Sequence, residues 1–198
     1  MNDFAHYFKG NSTAVSSELD KLLGQVKVQS IRKGQMLQQK GDDQKHAFFV
    51  RKGLLRSYSI DEKGKEHVYM FGPEGWIISD IQSTAAQMPA VLFVDALEDS
   101  EIEIIPSGLF EELINTHMGS HPDFARIELT RLLRRIGVLQ KRVLMLMSSS
   151  AKERYLEFVA TYPSLQQRVS QRLIASYLGI TPEALSRIRV EMLKAERK

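Results

Sequence analysis

Ser170-Gln-Arg-Leu-Ile-Ala-Ser-Tyr-Leu-Gly-Ile-Thr-Pro-Glu-Ala-Leu-Ser-Arg-Ile-Arg189 is the stretch that decides the fold, because it reads as two short amphipathic helices joined by a glycine turn. Ser170 suits the N-cap of the first helix, and Ile174, Ala175 and Leu178 give that helix one apolar face. Gly179 fits the left-handed backbone of a tight stop, and Ile180 fills the corner. Thr181 is a second N-cap, and Pro182 brings the fixed φ favoured at a first helical position. Leu185, Ile188 and Met192 then return to the core at helical spacing. Glu183, Ser186, Arg187 and Arg189 are left facing outward. An exposed helix start with this chemistry fits a DNA major groove, where Arg bridges guanine O6 and N7 and Glu accepts from cytosine N4. Each residue has an ordinary explanation by itself: the helix macrodipole favours Glu183, and an outer-face Arg is commonly just solvated. The combination predicts a sequence-specific DNA-binding helix-turn-helix. Its predicted contact residues are Thr181, Glu183, Ser186, Arg187 and Arg189, with Gln171 and Arg172 from the first helix.

Outward from this element, charge is unevenly spread. The 198 residues carry a formal net charge of +3, yet residues 1–120 sum to −5 while residues 121–150 and 151–198 each sum to +4. A basic C-terminal third on an acidic body suits a DNA-binding module beside a sensing module. With 43% hydrophobic residues a packed core is expected. No apolar run approaches the roughly 20 residues of a membrane span, and the first residues lack the blocks of a signal peptide, so the expected location is the cytoplasm. The absence of cysteine excludes disulfides, thiolate nucleophiles, cysteine-ligated clusters and cysteine zinc sites.

From about Ile31 to Ile105, glycines at 34, 41, 53, 64, 72 and 75 punctuate short apolar segments, which predicts strands and turns rather than helices. The expected strands are 47–50, 54–60, 67–71, 91–96 and 102–105, with a hairpin loop over Asp61-Glu-Lys-Gly64, and together they suggest a small barrel or jelly roll. Residues 1–25 and 107–118 read as helical. From Pro122 the period changes. Leu129, Leu132, Ile136, Leu139, Val143 and Leu146 follow Ala125 in alternating steps of four and three, a heptad seam expected to face a second copy of the chain. Leu133, Val138, Leu144 and Met147 lie off that seam and suit packing against the roll. Ser150-x-x-Glu153 is a capping box that starts a further helix ending before Pro163. The fold class that follows is α+β in three parts: a β-roll over 1–120, a long dimerisation helix over 121–148 and a helix-turn-helix domain over 149–198. A two-fold dimer would set its recognition helices about 34 Å apart and require a palindromic site.

This order of parts resembles the cyclic-AMP receptor protein and fumarate–nitrate regulator (Crp/Fnr) family of bacterial transcription factors. In the roll the resemblance rests on Lys33-Gly34, Gly41-Asp42, Phe49-Val50, Gly53, Arg56-x-Tyr58, Asp61, Gly64-Lys-Glu66 and Gly75, and its specific part is Ile174 to Arg189. It implies a cyclic-nucleotide-binding type of roll, base reading by Glu183 and Arg187 with Ser186 alongside, and Arg189 nearer the phosphates. It allows RNA polymerase as a further partner. Two features depart from the family pattern. Nucleotide-binding members follow a Gly-Glu turn and a short helix with an Arg-Ser/Thr-Ala stretch; here Gly75 leads into Trp76-Ile-Ile-Ser-Asp80, and Gln87-Met-Pro-Ala-Val91 offers no arginine. Residues 66–125 hold no Lys or Arg and eleven Asp or Glu. An uncompensated buried phosphate is costly, so cyclic AMP is not expected to bind, and no cofactor is implied. Any effector pocket falls by position on Gly75, Trp76, Ser79, Asp80 and Val91, with the effector unidentified. Secondly, the sequence stops at Lys198, where many members continue into a β-hairpin wing, which shifts the expected phosphate contacts toward Arg168, Arg172, Arg189, Lys194, Arg197 and Lys198.

Two other classes of function compete with this one. A metal-dependent enzyme on a small barrel needs clustered ligands, whereas His6, His46, His67, His117 and His121 are scattered, so neither catalysis nor a metal is expected. An adaptor whose helical C-terminus binds protein instead of DNA is the alternative function.

Overall fold

The computed structural model describes residues 23–43, 45–109 and 122–196, together with Phe4, Lys21 and Glu112. The helices expected over 1–25 and 107–118 fall largely outside these residues. Among the described residues eight strands are formed: β1 (Lys27–Ile31), β2 (Met36–Gln38), β3 (His46–Lys52), β4 (Leu55–Ile60), β5 (Glu66–Gly72), β6 (Ile77–Ile78), β7 (Phe93–Ala96) and β8 (Ser100–Pro106). They make two four-stranded sheets, ordered β1-β8-β3-β6 and β2-β7-β4-β5. A short helix, α1 (Ile81–Ala86), interrupts the run between β6 and β7. From residue 122 onward the described residues form α2 (Pro122–Ser148), α3 (Ala151–Thr161), α4 (Leu165–Arg168), α5 (Gln171–Leu178) and α6 (Pro182–Glu196).

The apolar run Ala47-Phe-Phe-Val50 is buried on both sides of its sheet, because successive side chains of a strand point to opposite faces. Phe48 and Val50 pack with Leu55, Ile78, Val94 and Ile102. Ala47 and Phe49 pack on the other face with Phe4, Val26, Ile77, Ile105 and Leu109. The register Phe48↔Ile78 and Phe49↔Ile77 explains why two adjacent isoleucines serve two different clusters. At the β3–β4 turn, Gly53 has φ +94°, and a Cβ there would sit 2.7 Å from the Cα of Ser100, so a side chain is excluded twice over.

Between β4 and β7, Arg56 stands opposite Asp95. Both are buried, and the guanidinium donates two parallel bonds to the carboxylate at 2.8 Å each. It also lies 4.0 Å from the centroid of Tyr58, which stacks on Phe93. A bidentate, satisfied pair is the form in which such burial is tolerated.

By internal contacts the chain divides into two units, Met1–Ser59 with Tyr69–Arg126 and Ile60–Val68 with Ile127–Lys198. The tip of the β4–β5 hairpin therefore belongs to the helical unit. Ser176 on α5 donates to the Glu66 carbonyl at 2.8 Å and accepts from the Val68 N–H at 3.0 Å, matching the hydrogen-bonding demand of a strand edge. From α2, Arg142 donates to the carbonyls of Val68 and Tyr177 at 3.2 Å each and lies 3.9 Å from the Tyr177 ring centroid. Phe158, Tyr162 and Tyr177 form a triangle with centroids 5.6 to 5.7 Å apart. Around it are buried Tyr155, Leu165, Val169, Ile174, Ala175 and Leu178. No described helix is long and apolar enough to cross a membrane.

Candidate nucleic-acid interface

The helix-turn-helix forms as its sequence dictates. Ser170 caps α5 by accepting from the Leu173 N–H. Gly179 ends that helix at φ 65°, ψ 35°, with its N–H bonded to the carbonyls of Ala175 and Ser176. Ile180 then donates to the Ala175 carbonyl at 3.0 Å, which is the Schellman pattern. Arg154 of α3 donates to the last α5 carbonyl, that of Leu178, at 2.8 Å. Thr181 accepts from the Ala184 N–H through its hydroxyl at 3.2 Å, and Pro182 opens α6.

Burial sorts α6 into two faces. Leu185 and Ile188 are buried, and Met192 is half-buried. Thr181, Glu183, Ser186 and Arg187 are exposed, Arg189 is half-buried, and Gln171 and Arg172 lie exposed on the first turn of α5. A shallow depression along α6 is lined by Ser186, Arg187, Val190, Glu191 and Lys194. Lys152 of α3 pairs with Glu191, at the flank of that depression, at 2.9 Å. The Glu183 carboxyl is held below its ordinary range, first by its own backbone N–H, then by the Thr181 hydroxyl and by the charge of Arg187. It is ready to accept hydrogen bonds at the helix start.

On α2 the seam residues Leu129 (57%), Ile136 (51%), Val143 (54%) and Leu146 (45%) are exposed, and Leu139 is half-buried. The Leu132 side chain lies outside the described ones. Leu133, Val138, Leu144 and Met147, off that seam, are exposed as well. The apolar surface of α2 is thus wider than one seam.

Of the residues placed near an effector, Gly75 is exposed and Trp76 and Ser79 are half-buried. Gly75 and Trp76 are bound into the β3 edge: Gly75 N–H donates to the Val50 carbonyl at 2.8 Å, and Val50 N–H to the Trp76 carbonyl at 2.9 Å. Asp80 is buried and meets Val91, whose N–H donates to its carboxylate at 2.7 Å. Among the described residues no three His, Asp or Glu side chains gather as metal ligands. His67 instead meets Asp61 at 2.8 Å. Ser176, Arg142 and Arg154 were not legible as site-building residues. Their partners are backbone atoms brought near by the fold, and a sequence carries no pattern for those.

A two-sheet roll continued by a long helix and a capped helix-turn-helix is the build of a DNA-binding regulator of transcription. Residues 28–117 match the family model of the cyclic nucleotide-binding domain. Over 199 aligned residues the chain is 30% identical to the fumarate and nitrate reduction regulatory protein of Vibrio cholerae, covering 93% of this chain and 76% of that one. The chain belongs to the Crp/Fnr family of transcriptional regulators, which are not enzymes. The protein of the same name from Escherichia coli K12 is 28% identical over 185 residues, or 86% of this chain and 70% of that one. Among solved structures, FixK2 of Bradyrhizobium japonicum matches with a TM-score of 0.69 at 19% identity, covering 86% of each chain. A CooA variant from Carboxydothermus hydrogenoformans matches with a TM-score of 0.68 at 19% identity, covering 93% of this chain and 82% of that one. The α+β class and the family expected from the sequence are both borne out.

Proposed function

We propose that this regulator acts as a homodimer on palindromic double-stranded DNA, with α6 of each subunit in the major groove, and that cyclic AMP is not its effector. The observation that carries the reading is the division of α6. Leu185 and Ile188 anchor it, while Thr181, Glu183, Ser186 and Arg187 stand exposed on its first two turns. Glu183 and Arg187 read base edges, Ser186 assists, and Gln171, Arg172 and Arg189 hold the backbone. The exposed apolar length of α2 supports dimerisation, since each Leu, Ile or Val side chain removed from water contributes about 1.5–3 kcal/mol. Three parts follow from this reading: a roll over 1–120, a dimer helix over 121–148 and a DNA head over 149–198. The protein then works in the cytoplasm, with RNA polymerase as the partner it meets at promoters. Against a cyclic-nucleotide effector stands the lack of any Lys or Arg in residues 66–125.

The test is selection of sites from a random DNA pool by the purified, ligand-free protein. A palindrome with half-sites about one helical turn apart is expected. Arg187→Ala should then cost about 1–3 kcal/mol and relax one base pair per half-site. Failure to enrich any site, with or without cell metabolites, would favour a helical C-terminus that binds protein.

A further inference from the structure

The segment Asp80–Leu92 leaves the roll after β6, forms α1 and returns to β7, and a single side chain ties its two ends. Asp80 is 1% exposed. One carboxylate oxygen accepts from the Ser83 N–H at 3.2 Å. The other accepts from the N–H groups of Val91 at 2.7 Å and Leu92 at 3.0 Å. The Asp80 carbonyl takes both the N–H and the hydroxyl of Thr84, each at 2.9 Å. An N-cap needs only the first of these carboxylate bonds. The two from Val91 and Leu92 come from a stretch beyond the helix, and residues 66–125 supply no cationic side chain. Successive backbone N–H groups converging on one point are how proteins hold a free anion. A second observation points the same way: the Ser83 side chain, on the residue whose N–H binds Asp80, is 0% exposed, and its hydroxyl has no hydrogen-bond partner. The returning end is pinned as well. Ala90 N–H donates to the Asp42 carbonyl at 2.8 Å, and the Gln38 amide donates to the Leu92 carbonyl at 2.9 Å.

We propose that Asp80 is a resident anion. Its carboxylate fills, from within the chain, a three-amide site that suits a small oxyanion, and it holds the Asp80–Leu92 segment closed with no ligand bound. The inference deepens the reading that the roll takes no cyclic nucleotide and rests on that reading for its functional meaning. Occupancy and like charge both exclude a second anion from these amides.

The test compares the full-length wild type with Asp80→Ala and Asp80→Asn by thermal unfolding in chloride, formate and inorganic phosphate at one ionic strength. Asp80→Ala empties the amides without adding a group, so it should melt lower than wild type. Formate should then raise its midpoint saturably by ~2–4 °C. Wild type should not respond, and Asp80→Asn, whose one side-chain oxygen still accepts from these amides but without the charge, should respond less than Asp80→Ala. An Asp80→Ala protein that formate and phosphate leave unchanged, or three proteins that respond alike, would overturn the proposal. Should Asp80→Ala not fold, amide exchange in Asp80→Asn decides. An acceleration at Val91 and Leu92 of about tenfold or more is expected, and unchanged protection would overturn it. Titration of cyclic AMP into wild type, followed by calorimetry, separates the two readings. Binding there refutes the nucleotide reading, while the formate result alone judges the resident anion.

Discussion

Asp95 shows how much a single side chain can decide in this roll. Its partner Arg56 is buried and directed at it by two bonds, so Asp95→Ala leaves a guanidinium without its counter-charge. A loss of about 3–5 kcal/mol is expected in urea unfolding. A loss under about 1 kcal/mol would mean that Tyr58 and solvent suffice for Arg56. Gly179 makes a smaller and sharper case. A Cβ there would meet the Arg154 guanidinium at 3.5 Å and Leu146 at 3.6 Å, ordinary contacts, so only the positive φ of 65° opposes a side chain. Gly179→Ala should therefore cost about 1–2 kcal/mol, the left-handed penalty alone. A larger loss would reveal crowding at the turn.

At the scale of elements, the seam of α2 predicts that Ile136→Lys gives monomers by sedimentation, because one charge per chain would lie in an apolar interface. A persistent dimer would locate the interface elsewhere. The start of α3 carries a pH dependence. The Glu153 carboxyl lies below its ordinary value of 4.5, first through the Ser150 backbone N–H and then through the Ser150 hydroxyl. A carboxylate stabilised in this way contributes above its unfolded pKa, and the contribution fades as pH falls through the lower folded one. The protection factor of the Ser150 amide, taken against the intrinsic exchange rate at each pH, should thus hold above about pH 4.5 and fall as the pH drops through the lower folded value, as read by hydrogen exchange between pH 6 and 3. These caps were legible because Ser150, Glu153, Ser170 and Thr181 act within three or four residues of themselves. The strands 46–52 and 66–72 were legible for a similar reason, since glycines bound them. By contrast, β1 escaped detection: four of its five residues are exposed, so no alternation marks it. β6 is only two residues long. α1 has no apolar stripe in Ile-Gln-Ser-Thr-Ala-Ala and depends on Asp80. The two hydrogen bonds that Val91 and Leu92 donate to the Asp80 carboxylate span eleven and twelve residues, beyond the reach of any local rule.

For the molecule as a whole, the logarithm of the DNA-binding constant should fall linearly with the logarithm of salt concentration. Arg172→Ala or Lys194→Ala should each lower that slope by about one per lost phosphate contact while leaving the selected sequence unchanged. A changed sequence preference would make either residue a base reader.

The grip of Ser176 and Arg142 on the Glu66–Val68 backbone bears on how such regulators are taken apart and recombined. A fragment cut at the start of α2 would keep α2 to α6 and still lose nine residues that the helical unit uses as its own. Its Ser176 hydroxyl would face water in place of a strand edge, and Arg142 would lose its bond to the Val68 carbonyl. Chimaeras that transplant this DNA head onto another roll need to carry residues 60–68 along as a graft. Those that do not should show a less cooperative helical half, even with every helix sequence intact.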